Sequence, residues 1–392
     1  MAQELAYVLI NPYTLMKSRT GGVIARLFAR TNLDLVGARM FAPGKELVDE
    51  FCHIIAADKK QKNEKIRKEI IDYIKHFYIK PPIHSKRHNR VLLLLFKGEN
   101  AVRKLRKVVG PVAHKSISGE TIRDTYGDYI EDRHGDVRYF EPAVIAPPCG
   151  KSALKRLEVW ARYSSRDGGL LNRALEYKTK KNIQETLVLI KPDNFRGPSG
   201  RAGNIIDLFS KTGLYIIGAK VLNLSLKEAE EFYGPVREVL AEKLQGQIKE
   251  RIKETIESMF GFSVPDASLG KITTTISELN AQKEFNNIVK FMTGIDRTDP
   301  KTRKNKEKPG KVKCLALVYQ GPNAISKIRN QLGATNPRRA DWATVRKEFG
   351  QNIMENTAHA SDSPANAKRE LKIVKIEQDD ISKWLKIIKR QR

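Results

Sequence analysis

Apolar residues along this chain follow two patterns, and both patterns occur twice. Residues 90–96 (RVLLLLF) and 313–319 (KCLALVY) carry nearly unbroken apolar runs, the mark of a central strand covered on both faces. Upstream, YVLINPYTLMKSRTGGVIARLFARTNLDLVGARMF at residues 7–41 matches LVLIKPDNFRGPSGRAGNIIDLFSKTGLYIIGAKVL at 187–222. Both read as strand, glycine-containing loop, amphipathic helix and second strand. Downstream, FKGENAVRKLRKVVGP from Phe96 pairs with YQGPNAISKIRNQLGA from Tyr319, and ETIRDTYG from Glu120 with ATVRKEFG from Ala343. One unit is therefore written twice. With a fourth strand read at 157–161 and at 372–376, each unit has the order β-α-β-β-α-β. The expected fold is an α+β sandwich of the α/β class: two ferredoxin-like domains whose antiparallel sheets are covered by helices.

The polar stretches set the boundaries. SSRDGGLLNRALEYKTKKN has a Gly-Gly break and polar flanks, which gives a first domain at 1–163, a linker at 164–183 and a second domain at 184–392. The second copy is the longer one. Its extra length holds a helical insertion at 237–281, with a charged amphipathic pattern over 236–260, a turn region to Gly270 and a second helix through Met292. A basic loop follows at 295–312, whose composition reads as mobile.

Charge changes this picture more than composition does. A hydrophobic share of 40% is enough for real cores and excludes a disordered chain. The longest apolar run, 91–96, is far too short to span a bilayer, and MAQELAYVLINPY lacks a basic segment followed by a hydrophobic one, so no membrane role and a cytoplasmic setting are expected. Cys52, Cys149 and Cys314 are widely separated, against both a disulfide framework and a zinc site. The net charge of +27, however, favours a polyanionic partner, whether nucleotide, nucleic acid or ribosome. Basic clusters stand at 59–68, 80–90, 103–107, 297–313 and 383–392, with few aromatics among them, so the stacking platform of a single-strand binder is missing. A solvated basic surface is the competing reading.

Candidate chemistry centres on His359, the only histidine in the C-terminal half, with Asn356, Ser361 and Asp362 around it and Arg346 upstream. An imidazole with one nitrogen free and the other held by an acceptor is a nucleophile, and nearby cations stabilise a phosphoryl group in transit. Ser363-Pro364 reads as an N-cap and first helical residue, so a short helix is expected to run to about Leu371. IKPD at 190–193, ATNP at 334–337, TVR at 344–346 and NTAHASDS at 356–363 then fall in the order of that chemistry's best-known family. With these motifs, residues 185–384 resemble a nucleoside diphosphate kinase domain, whose own motifs are IKPD, ETNP, TIR and NIIHGSDS.

The resemblance implies that His359 takes the γ-phosphoryl group of ATP, GTP or another nucleoside triphosphate and passes it to a diphosphate by a ping-pong route. It further implies that Glu370 orients the ring with support from Ser361 and Asp362, and that Lys191, Arg329, Thr335 and Arg346 bind phosphate and sugar. Tyr233 would stand beside the histidine, Asn356 would join Lys191 at the ribose hydroxyls, and Phe285 would stack on the base. Mg²⁺ would arrive on the nucleotide, with no metal site made by the protein. Ala360 and Asn194 depart from the family, which usually has glycine at both places.

The first copy shows the same frame without the chemistry. Asn11, Cys52 and Ile70 stand where Lys191, Tyr233 and Phe285 do, and matching SALKRLEVW to NAKRELKIV puts Ala146 at the histidine's place. His134, in DRHGD, lacks the asparagine and the serine-aspartate pair. Arg106 and Arg123 persist, which leaves weak anion binding open beside a structural role: an intramolecular partner replacing the second subunit of a homo-oligomer. Further oligomerisation is left open by the sequence. Two functions compete, an enzyme with one active copy and a basic protein that binds RNA or ribosome through kinase-like domains. Retention of His359, Glu370, Lys191 and both arginines favours the enzyme.

Overall fold

The computed structural model describes residues 3–59, 63–79, 89–113, 118–172, 174–177 and 181–390. Most of the basic cluster at 80–90, residues 60–62 of the cluster at 59–68, four linker residues (173 and 178–180) and the last two residues of the basic tail lie outside the described residues. The chain forms two compact units, Met1–Leu222 with Leu315–Arg392, and Asn223–Cys314.

The first unit contains two four-stranded sheets. In the first copy, β1 (Glu4–Ile10), β2 (Asp34–Phe41), β3 (Val91–Gly98), a separate hairpin of β4 (Asp128–Glu131) and β5 (Val137–Glu141), and β6 (Val144–Ile145) give the sheet order β2-β3-β1-β6. In the second copy, β7 (Ile183–Ile190), β8 (Tyr215–Leu222), β9 (Cys314–Pro322) and β10 (Ala358–Ala360) give β10-β7-β9-β8, the same arrangement. Antiparallel register joins β1 to β3 and to β6, β2 to β3, and β7 to β9 and to β10. The two apolar runs are central strands, as their patterns predict.

The fourth strands are elsewhere than expected. Residues 157–161 and most of 372–376 belong instead to the helices Gly150–Arg162 and Pro364–Val374. Ala153, Leu157 and Trp160 fall on one helical face and are all buried, a spacing that outweighs the strand-like composition of LEVWA. The true fourth strands, β6 and β10, are too short to leave an alternation of their own.

One hydrophobic cluster runs through both copies. Val8, Ile10, Leu94 and Phe96 of the first sheet and Val188, Ile190, Leu317 and Tyr319 of the second share it with the helices Thr20–Thr31 and Arg201–Ser210. These two helices cross at close range, and a Cβ on Gly21 would stand 2.6 Å from the Gly203 carbonyl oxygen, while one on Gly203 would run into the Ala25 backbone. Backbone atoms cannot move aside as a flexible side chain does, so Gly203→Val is expected to lower stability by about 3 kcal/mol, read as a reduced urea midpoint with an unchanged slope.

The linker also ties the copies together. Gly169 N donates to Met40 O of β2 at 2.9 Å, and Leu171 N donates to Ile217 O of β8 at 2.8 Å, so one extended stretch uses hydrogen-bonding groups on the outer strands of both sheets. The C-terminal helix Asp380–Arg390 completes the exchange, since Ile381, Leu385 and Ile388 are buried among Leu5, Tyr7 and Trp160 on the outer face of the first copy.

The second unit is a helical hairpin, Leu226–Phe260 and Asp266–Thr293. Ser225 and Glu228 form a capping box at its start, and Gly261, at φ 71°, ends the first helix in the left-handed conformation. The turn is shorter than expected, and Gly270 lies inside the second helix. The basic loop is held rather than loose: Lys227 N donates to Lys306 O at 3.0 Å, Lys311 N to Thr293 O at 2.7 Å, and Arg297 meets Glu230 at 2.8 Å. Composition could not reveal those partners, which lie on other segments. Among the described residues no helix is long and apolar enough to cross a membrane.

Candidate functional site

The site begins with β10. Its register sets His359 opposite Leu189 and Ala358 opposite Ile190, so the two alanines face the shared core while the imidazole faces the other side of the sheet. The strand is pinned where it ends: Ser361 N donates to Leu187 O at 3.1 Å, and Leu187 N donates to Ser361 Oγ at 3.3 Å. Ser363 then caps the helix Pro364–Val374 by accepting from Asn366 N, which carries Glu370 back beneath the strand.

Glu370 is buried, and its carboxylate is divided between two partners. Ser361 Oγ donates to Oε2 at 2.6 Å, while Oε1 lies 3.0 Å from His359 Nε2, within ion-pair distance though outside hydrogen-bond geometry. The Arg369 guanidinium stands 3.6 Å from the same oxygen. The His359 side chain retains 23% exposure, so a solute can reach the ring.

Cations and amides gather on the adjoining loops. Lys191 follows β7 directly, and its Nζ donates to Asn356 Oδ1 at 2.6 Å and to Met354 O at 3.3 Å. Asn356 Nδ2 in turn donates to Thr335 O at 3.0 Å. The Arg346 guanidinium is fixed by Gly333 O at 3.0 Å and Ala358 O at 3.1 Å, with Thr335 Oγ1 at 3.5 Å. Arg329 is exposed on the helix Ala324–Leu332. Asp362 is held below the usual carboxylate range, chiefly by the Asn366 side chain, with Ser363 and Arg329 adding to it. Tyr233 and Phe285 belong to the helical unit. There Tyr233 packs on Phe232 with ring centroids 4.9 Å apart, and Phe285 is buried with the Arg297 guanidinium 5.2 Å from its ring.

Two supports carry no sequence signal. Thr357 has φ 73°, a costly value for a β-branched residue, and it aims its carbonyl at Lys191 N (2.9 Å) and Asn194 Nδ2 (2.8 Å). Asn194 also accepts from Arg201 Nε at 2.8 Å and so anchors the loop after Lys191. Among the described residues no three His, Cys, Asp or Glu side chains gather as metal ligands.

The first copy repeats the frame with other occupants. Its register sets Ile145 opposite Leu9, so Ile145, not Ala146, stands where His359 does; a one-residue slip in alignment moves a side chain to the opposite face. Asn11 N donates to Ala143 O at 3.1 Å, as Lys191 N does to Thr357 O, and Ala143 shares the positive φ. Asn11 Oδ1 is occupied by the Tyr78 hydroxyl at 2.8 Å. Arg123 repeats the Arg346 clamp, on Gly110 O at 2.6 Å and Val144 O at 3.1 Å. His134 sits exposed in the β4–β5 turn.

Beside Asn11, burial pushes Glu141 up to about 7, against the opposing effect of the Tyr73 hydroxyl at 2.7 Å. Because the folded chain holds this proton more tightly than the unfolded chain, the contribution is full below about pH 4.5 and is lost as pH rises towards 7. A decline of about 3 kcal/mol in unfolding free energy over that window, absent in Glu141→Gln, is the expected result of denaturant titrations.

An imidazole backed by a buried carboxylate, ringed by lysine, arginine and amides on a ferredoxin-like sheet, defines a protein that handles phosphate. A family model described as nucleoside diphosphate kinase matches residues 4–135, 184–239 and 236–379, and the chain belongs to that family. The nucleoside diphosphate kinase of Staphylothermus marinus is 28% identical over 203 residues, covering 52% of this chain and 99% of the relative. That of Anaeromyxobacter sp. (strain Fw109-5) is 31% identical over 188 residues, covering 48% and 86%. Among solved structures, an NDP kinase from Pyrobaculum aerophilum is 26% identical with a TM-score of 0.33, covering 49% of this chain and 94% of that one. The chain is thus a phosphotransferase acting on nucleoside tri- and diphosphates, rather than only a basic binding protein.

Proposed function

We propose that phosphoryl transfer occurs once per chain, at His359 in the second copy, and that the first copy is an intramolecular partner forming a pseudo-dimer with it. The observation that carries this reading is the chain Ser361–Glu370–His359, whose first-copy counterparts at the last two positions are Arg156 and Ile145. Glu370 stands beside Nε2, and the attack is assigned to Nδ1. Nδ1 attacks the γ-phosphorus, the bond from that phosphorus to the β–γ bridging oxygen breaks, and a nucleoside diphosphate leaves with the electron pair. A second diphosphate then attacks the phosphohistidine with its terminal oxygen and restores the free imidazole. Lys191, Arg346 and Arg329 offset the charge spread over the moving group, and Asn356 with Thr335 positions the sugar and phosphates. Mg²⁺ enters on the nucleotide phosphates as part of the substrate.

The test is incubation with γ-labelled ATP and Mg²⁺. Acid-labile label on a peptide containing His359, discharged by added nucleoside diphosphate, is the expected result. Label that persists in His359→Ala, or that a diphosphate does not remove, overturns the assignment.

A further inference from the structure

A cavity of about 460 Å³ opens in the first copy between the helices Glu64–Phe77 and Ala101–Val109, the Gly110 turn and β6. Its size suits a small ligand, and its wall has two chemistries. Ile66 and Ile70 form an apolar side, whereas Arg106, Lys107, Arg123 and Arg156 also line it, with no acidic residue among the described lining residues.

Two of these cations are held in place before any ligand arrives. Arg123 and Arg156 are 7% and 3% exposed, and the Nε of each is buried without a hydrogen-bond partner. Burying a guanidinium with a donor unmet is costly unless something fills that position. Arg123 is fixed by Gly110 O and Val144 O, and Arg156 by Asp58 at 2.9 Å, so neither can swing out to water to satisfy itself. Burial, with Arg106 nearby, lowers the Arg123 guanidinium to about 10. Arg106 is exposed at the mouth and donates to Pro148 O at 2.9 Å.

We propose that the first copy binds a nucleoside di- or triphosphate without transferring its phosphate, the phosphates resting on Arg106, Arg123 and Arg156 and the base against Ile66 and Ile70. Holding and transferring are separated by substitution. Where the second copy has a nucleophile and its orienting acid, the first has an aliphatic side chain, Ile145, and a further cation, Arg156. The counterpart of Lys191 is the neutral Asn11, already occupied by Tyr78. A guanidinium in place of a carboxylate removes a repulsion that an anion would meet, even with Asp58 paired to it, and removes the means of using the anion. The chain then carries two nucleotides, one reactive and one resident.

The site is tested by equilibrium dialysis of labelled ADP with Mg²⁺ against the full chain, a measurement that does not depend on transfer at His359. Two ADP per chain are expected. Arg106→Glu combined with Lys107→Glu, both exposed and outside the transferring copy, weakens one of the two by roughly tenfold to a hundredfold and leaves the transfer rate unchanged. Arg346→Ala weakens the other. Pyrophosphate is expected to displace ADP from the first copy, and adenosine is not. One ADP per chain in the wild type, two undiminished sites in the double variant, or displacement by adenosine but not by pyrophosphate would each overturn the proposal.

Discussion

His359→Ala is expected to leave a folded chain whose phosphotransfer rate falls by at least about 10⁴-fold, the size of loss seen when a covalent nucleophile is removed. The physical case rests on where the imidazole sits. It lies on the outer face of a three-residue strand and is partly exposed, while its neighbours Ala358 and Ala360 make the core contacts. Glu370 keeps Ser361 Oγ at 2.6 Å and Arg369 at 3.6 Å, so its buried charge is not abandoned. Stability should therefore change by less than about 1 kcal/mol. Transfer from ATP to a nucleoside diphosphate, followed beside thermal unfolding, separates the two effects. A variant that unfolds at the wild-type temperature yet keeps a tenth of the wild-type rate would place the nucleophile elsewhere.

The parts of the fold legible in the sequence are those where burial leaves a period. Residues 91–96 and 314–319 are apolar throughout because both faces of a central strand are covered, and the helix at 20–31 shows its buried Val23, Ile24 and Leu27 at helical spacing. β10 is illegible for the opposite reason. Its three residues include two small ones, and its register comes from Leu187 and Ser361 rather than from its own pattern. The misplaced fourth strands and the misplaced counterpart of His359 share that origin. The motifs that carry Lys191 and His359 are legible because each is contiguous and they stand in order along the chain. The Thr357 backbone, the anchoring by Asn194 and the unmet donors of Arg123 and Arg156 arise from contacts across the sequence, which no local pattern encodes. The bridging by Gly169 and Leu171 belongs with them, since a glycine pair reads as a break whether or not it lies between two sheets.

Glu370→Ala is expected to lower the rate by about a hundredfold while His359 is still present, because on the proposed reading the ring loses the carboxylate that stands 3.0 Å from Nε2 and orients it. Binding of nucleotide should be little altered, since Lys191, Asn356 and Arg346 are held by their own backbone partners and not by Glu370. The loss therefore falls on kcat and not on KM. Ser361 supplies the sharper test. Its hydroxyl donates to Glu370 and accepts from Leu187 N, so Ser361→Ala removes the carboxylate's second partner and frees one end of the strand. If Ser361 acts through Glu370, its substitution costs roughly tenfold alone and almost nothing further once Glu370 is alanine. A double variant slower than Glu370→Ala by the full cost of Ser361→Ala would show that the hydroxyl acts through β7, and that the carboxylate orients the ring without it.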